Sequence, residues 1–419
     1  MARRAETLLL ALSGAFVAVN SLALALLRGF SLDGLFVALA WFLAAGLGRA
    51  WLDRLLPERD PLLFPLTLFM TALGLLMIAR LAPTFASRQA LWLIVSCVAL
   101  LTTASVPQLL RRLARYRYLL LIFGLALLIA TILMGRNPSG LSGAPELWLG
   151  IGGLFFQPSE ALKIILVAFL ASYLAEQAQV SAFNHSMKTE RLWLNPRLAG
   201  PLALMWSLST LVLVWQRDLG TASLFFLVFM VLLYVASGRS AVVLMGLLLT
   251  VLAMVIAYQL FDVVRLRVDI WMSPWEEASG RAYQIVQSLM AFAAGSVGGQ
   301  GVGQGLPNAI PVVHSDFVFA AVAEEWGLLG VVALIGALLA WVLRGLKIAL
   351  RHHERPYYAL LAVGLTSLVA LQSLLIMGGV LKILPLTGVT LPFVSYGGSS
   401  LLVSFVIVGM LLRLSIEER

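Results

Sequence analysis

The chain has 419 residues, of which 61% are hydrophobic and only 12% charged, and its mean hydropathy is +0.97. A soluble domain carries roughly twice that share of charge, so there is too little polar surface here to cover a globule in water. The net charge of +9 does not point to nucleic acid, because the basic residues lie mostly in short segments between apolar runs, and a single cysteine, Cys97, excludes an intrachain disulfide framework and a cysteine-only metal site.

A bilayer accepts only helices or closed barrels, since unpaired backbone groups find no water there. The apolar runs are about 17–25 residues long, helix length rather than the ~10-residue alternation of a barrel, so the expected fold is an all-α polytopic membrane protein. Met1–Asn20 places Arg3 and Arg4 before an apolar stretch that continues to about Leu27. That stretch is too long for a signal-peptide core and reads as an uncleaved first span. Further spans are expected near Leu35–Leu47, Leu62–Leu81, Ala90–Ser105, Tyr118–Met134, Glu160–Ala175 and Leu198–Trp215. The series continues near Leu219–Ala236, Ala241–Leu260, Asp316–Leu343, Tyr357–Val380 and Ser399–Leu412, about 12 helices by length.

Polar loops fall at 135–159, 261–315 (a large one before the tenth helix) and 381–398. With the N-terminus in the cytoplasm, nineteen Lys and Arg residues lie on the cytoplasmic side against nine opposite, with Lys163 inside a span. This bias puts both termini in the cytoplasm and the three loops outside. His185, in the segment Glu176–Pro196, reads as part of an ordinary cytoplasmic loop. His352 and His353, in the basic Arg344–Arg355 segment, read as solvated rather than metal-binding.

Four polar clusters face outward. In Gln157-Pro158-Ser159-Glu160, Pro158 and Ser159 read as a helix start, with Ser159 able to cap it. Glu160 and Lys163, three apart, share a helical face and can pair, either to lock helices together or to serve a site. In Gln216–Thr221, Asp218 can cap the next helix and Arg217 can meet an anionic head group. Arg265 and Arg267, spaced by two at a membrane exit, suit a phosphate or pyrophosphate, or plain interfacial anchoring.

The fourth cluster is Tyr283–Gly330. An almost charge-free glycine run delivers His314 and Asp316 to the mouth of a span, with Glu324 and Glu325 about two turns further on. Nothing in that run matches a P-loop, which needs Lys-Ser/Thr after a strand. Asp316 can be a general base or a helix cap. The glycines Gly295–Gly305 are expected to let the outer loop move. The irregular, hydroxyl-rich stretch Leu384–Ser400 must be buried in protein or line a cavity.

The motifs FQPSEALK (Phe156–Lys163), QRDLGT (Gln216–Thr221), RLRV (Arg265–Val268) and PWEEASGRAYQIVQSLMAF (Pro274–Phe292) resemble the SEDS family of RodA, FtsW and SpoVE. HSDFVFAAVAEEWGLLG (His314–Gly330) and PLTGVTLPFVSYGGSS (Pro385–Ser400) do so as well. The matches keep the family's order and cover about Pro61 to the C-terminus, and the chain looks nearest to RodA- and FtsW-type members. The family usually has ten spans, so the resemblance implies a core over 57–419 preceded by two extra N-terminal helices within 1–56.

Three positions depart from the family's pattern. Phe155 stands where an Arg is common before FQPS, Leu147 where an Arg precedes Trp148, and Val312 where an acid often lies two before the motif His. Some anion recognition is then lost or supplied elsewhere, with Arg217, Arg265, Arg267 and Lys382 as candidates.

The resemblance implies a peptidoglycan glycosyltransferase of the bacterial cytoplasmic membrane. Such an enzyme polymerises lipid II, a disaccharide-pentapeptide on undecaprenyl pyrophosphate, at the outer face, alongside a class B penicillin-binding protein. The family's essential aspartate falls on Asp316, its Glu and Lys after QPS on Glu160 and Lys163, and the Asp of its Q-x-D-L-G-T motif on Asp218. The matching motifs add Trp148, Gln287, Ser288, His314, Ser395 and Tyr396 as substrate-binding candidates. No cofactor is required by the sequence, although the outer carboxylates could take a divalent cation. A lipid II flippase, or a non-catalytic scaffold of the elongation or division machinery, are the alternative readings.

Overall fold

The computed structural model describes residues 2–137, 146–151, 154–183, 207–208 and 218–416. It is a helical protein with ten helices long and apolar enough to cross a membrane among the described residues, and a shorter apolar helix, Gly398–Leu414. The expected span Leu198–Trp215, apart from Ser207 and Leu208, lies outside the described residues, as do Arg217 and His185.

The helices in chain order are α1 (Ala2–Arg28), α2 (Leu32–Leu55), α3 (Leu63–Leu81), α4 (Pro83–Ser105), α5 (Leu109–Arg115), α6 (Arg117–Met134) and α7 (Pro158–Phe183). They continue with α8 (Leu219–Ser237), α9 (Ser240–Leu260), α10 (Asp262–Met272), α11 (Tyr283–Gly295), α12 (Val318–Arg351), α13 (Pro356–Val380) and α14 (Gly398–Leu414). Strands β1 (Leu149–Ile151) and β2 (Leu154–Phe156) form an antiparallel hairpin.

Several expected boundaries move. The second span is longer than Leu35–Leu47: its last turns carry Arg49 and Asp53, which pair with each other, and Asp53 also pairs with Arg59. The large loop 261–315 is not simply irregular, since α10 and α11 lie within it. The loop 135–159 holds the hairpin, and the segment expected as a loop from Glu176 continues as helix to Phe183. His352 is buried, with its ring 5.6 Å from Tyr358, while His353 is exposed.

The chain divides into two compact units. The first comprises Met1–Pro107, Arg267–Arg344 and Gln372–Arg419, and the second Gln108–Leu266 and Gly345–Leu371.

In the first unit nearly every residue of α3 is buried. Trp41 of α2 donates its indole N–H to the Leu68 carbonyl at 2.9 Å, and Trp341 of α12 donates to Thr67 Oγ1 at 3.1 Å. Helix α14 lies along α4 at glycine contacts. A Cβ on Gly409 would fall 2.6 Å from the Leu100 carbonyl oxygen, and one on Gly398 would fall 2.2 Å from the Trp92 ring. At one end a charged cluster ties the first two helices down: Arg59 pairs with Glu6 at 2.6 Å and Asp53 at 2.8 Å, and Arg344 pairs with Asp60. Losing one member of such a pair is costly where water is excluded, and Glu6, Arg59 and Asp60 are all buried. In the second unit α7 packs between α6 and α8, and its core includes Leu162, Leu166, Leu170 and Phe225.

Candidate functional site

The His314-Ser315-Asp316 stretch forms a turn just ahead of α12, closed by the Ser315 N–H on the Val312 carbonyl at 3.1 Å. Val312 adopts φ +54°, a left-handed conformation that β-branched residues rarely take. The turn is held from outside by the final loop. The Tyr396 N–H donates to the His314 carbonyl at 2.9 Å and Ser395 Oγ donates to the Ser315 carbonyl at 2.5 Å. Ser395 Oγ also accepts the Leu391 N–H at 2.9 Å, so one hydroxyl fastens two loops together.

The side chains here form a small aromatic platform. Phe85 of α4 stacks on Tyr396 with ring centroids 4.8 Å apart, and the His314 ring lies 5.3 Å from Phe85 and 5.6 Å from Tyr396. Burial lowers the His314 pKa from its ordinary value of 6.5, which favours a neutral imidazole. Asp316 follows, half-buried, with Ser315 Oγ donating to its Oδ1. Phe317 and the next turn of α12 are fully buried. The carboxylate thus sits at the boundary of the packed core, on a turn whose backbone is pinned on both sides. Within this unit His314, Asp316, Ser395 and Tyr396 come together. Phe85 was not anticipated, because a lone Phe in an apolar run carries no local signal.

The glycine run docks on α12. Helix α12 breaks at Gly327, where φ is +63°, and the break would orphan backbone groups inside a span. The glycine run supplies their partners. Gln300 N–H and Gly301 N–H donate to the carbonyls of Glu324 and Glu325 at 2.9 and 3.0 Å, and Leu328 N–H donates to the Ser296 carbonyl at 3.0 Å. The fit requires glycine, since a Cβ on Gly299 would lie 2.2 Å from the Glu325 carbonyl oxygen. Several positions of Gly295–Gly305 thus dock closely on α12.

Glu324 and Glu325 complete the dock. Glu324 Oε1 accepts the Leu306 N–H at 2.7 Å, and Glu325 Oε2 accepts the Gly303 N–H at 3.1 Å. Glu325 Oε1 meets Arg80 Nε at 2.9 Å, and that guanidinium also donates to the Gly305 carbonyl at 2.9 Å. Arg28, at the end of α1, donates to the Arg80 carbonyl at 2.8 Å. Arg80 was missed as part of this region although its sequence did flag it, being a cation at the end of an otherwise apolar run.

Two expected contacts turn inward. Ser288 is fully buried, and its hydroxyl donates to the Ile285 and Val380 carbonyls at 2.8 and 3.2 Å, whereas Gln287 beside it is half-buried. Arg267 donates to the carbonyls of Leu386 and Thr387 at 3.1 and 2.8 Å, fastening the loop between α13 and α14. Arg265 and Arg267 lie on one helix, α10, where residues two apart point about 200° from each other, so they do not form a bidentate pair. Arg265 instead caps the end of α9, donating to the Gln259 carbonyl at 3.2 Å.

In the second unit Pro158 occupies the first position of α7, as its missing N–H favours. Ser159 is not the cap, since it already lies within the helix and its Oγ accepts from Gln157 Nε2 at 3.1 Å. Glu160 and Lys163 pair at 2.7 Å, and both are more than nine-tenths buried. The hairpin ahead of them lays Phe155 over Gly150, and Trp148 bridges to Arg136 through their backbones, the Arg136 N–H donating to the Trp148 carbonyl at 2.8 Å. Asp218 caps α8, with Oδ1 accepting the Thr221 N–H at 2.9 Å and Oδ2 accepting its hydroxyl at 2.6 Å. Among the described residues, no three His, Cys, Asp or Glu side chains converge in a way that could hold a metal ion.

A membrane-helix bundle with a broken helix, a buried Glu–Lys pair in one unit and an aspartate on a pinned turn in the other defines the class. The model of the FtsW/RodA/SpoVE family, described as cell cycle protein, matches residues 61–419. The chain is 36% identical over 433 aligned positions to the peptidoglycan glycosyltransferase RodA of Mycobacterium tuberculosis H37Rv, covering 99% of this chain and 90% of that one. It is 32% identical to the probable peptidoglycan glycosyltransferase FtsW of Geobacter metallireducens, covering 79% and 84%. Among solved structures, a chain from work on the coordination of polymerization and crosslinking by a peptidoglycan synthase complex superposes with a TM-score of 0.71 at 28% identity, covering 86% of this chain and 98% of that one. The crystal structure of the rod shape determining protein RodA of Thermus thermophilus gives 0.61 at 26%, covering 86% and 97%. The chain belongs to the FtsW/RodA/SpoVE family.

Proposed function

We infer that this multi-pass membrane protein is a peptidoglycan glycosyltransferase that polymerises lipid II into glycan strands at the outer face of the cytoplasmic membrane. The observation that carries the reading is the placement of Asp316. Its half-buried carboxylate stands on a turn fixed by Ser395, Tyr396 and the aromatic platform, in a chain 36% identical across 99% of its length to a named peptidoglycan glycosyltransferase. A general base needs this combination of access and rigidity.

In the proposed step Asp316 takes the proton from the 4-hydroxyl of an acceptor N-acetylglucosamine. That oxygen forms a bond to the anomeric carbon of the donor N-acetylmuramic acid with inversion. The bond to the pyrophosphate oxygen breaks, and undecaprenyl pyrophosphate leaves with the electron pair. Charge develops on the leaving group, so cations near it lower the barrier. Lys163, held by Glu160, is the first candidate, followed by Arg217. Arg267 is demoted by its work on the last outer loop, and Asp218 and Ser288 are assigned to building the scaffold.

Both termini are placed in the cytoplasm by the distribution of basic residues. A class B penicillin-binding protein is the proposed partner, consistent with the structural likeness to a chain of a synthase complex. The reaction as written uses no resident cofactor, and a divalent cation would enter with the pyrophosphate, the oxygen chemistry that magnesium favours.

The test is purified protein in detergent with labelled lipid II. An enzyme yields glycan chains with no bilayer to cross, whereas a flippase or a scaffold leaves the lipid II unchanged.

A further inference from the structure

The second unit carries an open pocket of about 530 Å³ that the proposed reaction does not use. Its charged and aromatic lining is Arg111, Arg115, Arg117, Tyr118, Tyr357 and Tyr358, with no acidic side chain among the lining residues. The three arginines are not equivalent. Arg117 is committed, donating to Glu176 and lying 4.9 Å from the centre of the Tyr118 ring. Arg111 and Arg115 are four apart on α5 and therefore share a face. Both are exposed, and neither makes a hydrogen bond or ion pair among the described residues.

The aromatic side of the pocket is built rather than accidental. Tyr357 donates its hydroxyl to the Leu110 carbonyl at 2.8 Å, which fixes α5 against the start of α13. Tyr358 packs 5.3 Å from Tyr357 and 5.6 Å from the buried His352 ring. Arg111 and Arg115, beside a rigid aromatic wall, suit a phosphate, which guanidiniums bind through paired N–H donors, and Arg115 also lies 5.8 Å from the centre of the Tyr116 ring.

A second observation separates a lipid phosphate from a soluble one. Directly after Tyr118, which lines the pocket, α6 carries exposed apolar side chains: Leu119 at 64%, Ile122 at 64% and Phe123 at 57%. A soluble anion has no use for such side chains, whereas acyl chains lie along them.

We propose that the pocket formed by Arg111, Arg115, Tyr357 and Tyr358 binds the phosphate of an acidic phospholipid, whose acyl chains run along Leu119, Ile122 and Phe123. On the topology inferred above this is the cytoplasmic leaflet, remote in chemistry from the outer-face reaction. The site therefore stands or falls independently of Asp316.

The full-length protein in a neutral detergent tests this with short-chain phosphatidylglycerol, phosphatidylcholine and inorganic phosphate titrated in parallel, the readout being the unfolding midpoint. Ligand that binds only the folded state raises that midpoint. The expected result is a rise with phosphatidylglycerol alone, with about tenfold or greater weakening of the apparent affinity in Arg111→Gln/Arg115→Gln. Both positions are exposed, so the variant should keep its ligand-free midpoint and its lipid II polymerisation. An equal rise with phosphatidylcholine, or an undiminished rise in the variant, would overturn the site. A full rise with inorganic phosphate alone would overturn the lipid assignment. A variant whose ligand-free midpoint drops is replaced by Arg111→Lys/Arg115→Lys, which keeps the charge but loses the paired donors, and an undiminished response there counts against the guanidinium geometry.

Discussion

Removing the Glu325 carboxylate should cost far more than a surface ion pair would. The Arg80 side chain is 4% exposed and that of Glu325 is 0% exposed, with 2.9 Å between Nε and Oε1. Charges about 4 Å apart attract by roughly 4 kcal/mol at an effective dielectric near 20. Taking away one member of a buried pair leaves the other charged and desolvated, at a cost of about 3–5 kcal/mol. The lost acceptor for Gly303 N–H adds about 1 kcal/mol. Glu325→Ala is therefore expected to lose about 4–6 kcal/mol of unfolding free energy, and Arg80→Ala about 3–5.

The double variant Arg80→Met/Glu325→Leu should recover much of that loss, because no lone charge remains. It should not recover activity to the same degree, since the anchors of Gly303 and Gly305 are gone. Unfolding in mixed detergent micelles gives the free energies, and the lipid II assay gives the rates. A single variant costing under about 1 kcal/mol, or a double variant costing the sum of the two singles, would refute the coupling on which the docked glycine loop depends.

Other perturbations separate structural from functional roles. Burial holds the His314 pKa below 6.5, so between the two values the unfolded chain binds more protons and stability falls as pH drops through that window. The unfolding midpoint should decline from pH 7.5 to 5.5 more steeply in the native chain than in His314→Asn, and equal slopes would exclude this histidine as the cause. Asp218→Ala should cost about 1 kcal/mol through loss of the α8 cap, while Asp218→Asn stays within a few tenths and keeps activity. A dead but well-folded Asp218→Asn would assign the carboxylate to substrate instead. Gly409→Ala, whose Cβ would meet the Leu100 carbonyl at 2.6 Å, should cost about 1–3 kcal/mol. Gly336→Ala, with nothing within 4 Å, should be neutral or slightly stabilising in the same melt.

How much of this was legible depended on whether the deciding contact was local. The spans announce themselves by length and hydropathy, and the Glu160–Lys163 spacing of three is enough to expect their pairing on one helical face. The motif order from Phe156 to Ser400 pointed to the family that the later comparison shows. The spacing of Arg265 and Arg267 suggested a shared phosphate site or interfacial anchoring, but α10 makes the segment a helix and puts the two on opposing faces. The break at Gly327 was invisible because one glycine in an apolar helix is ordinary, and its cause lies in a segment about 30 residues upstream. For the same reason the glycine run read as a flexible loop. Glycine serves flexibility and close approach equally, and only the Gly299–Glu325 contact decides between them. Ser288 and Arg267 carry polar groups in motif positions, and nothing in the chain reveals that backbone carbonyls 92 and 120 residues away take them up.

The role of Asp316 is tested most directly by the rate of glycan-strand formation from labelled lipid II with purified Asp316→Asn protein, set beside the native chain at matched folding. Asparagine keeps the size of the side chain and its ability to accept from Ser315 Oγ, but it cannot take a proton at neutral pH. General acid–base groups contribute about 10²–10⁴-fold, so the variant should polymerise at least a hundred times more slowly with its unfolding midpoint unchanged. Polymerisation at a near-native rate by a folded Asp316→Asn protein would contradict the assignment of Asp316 as the base.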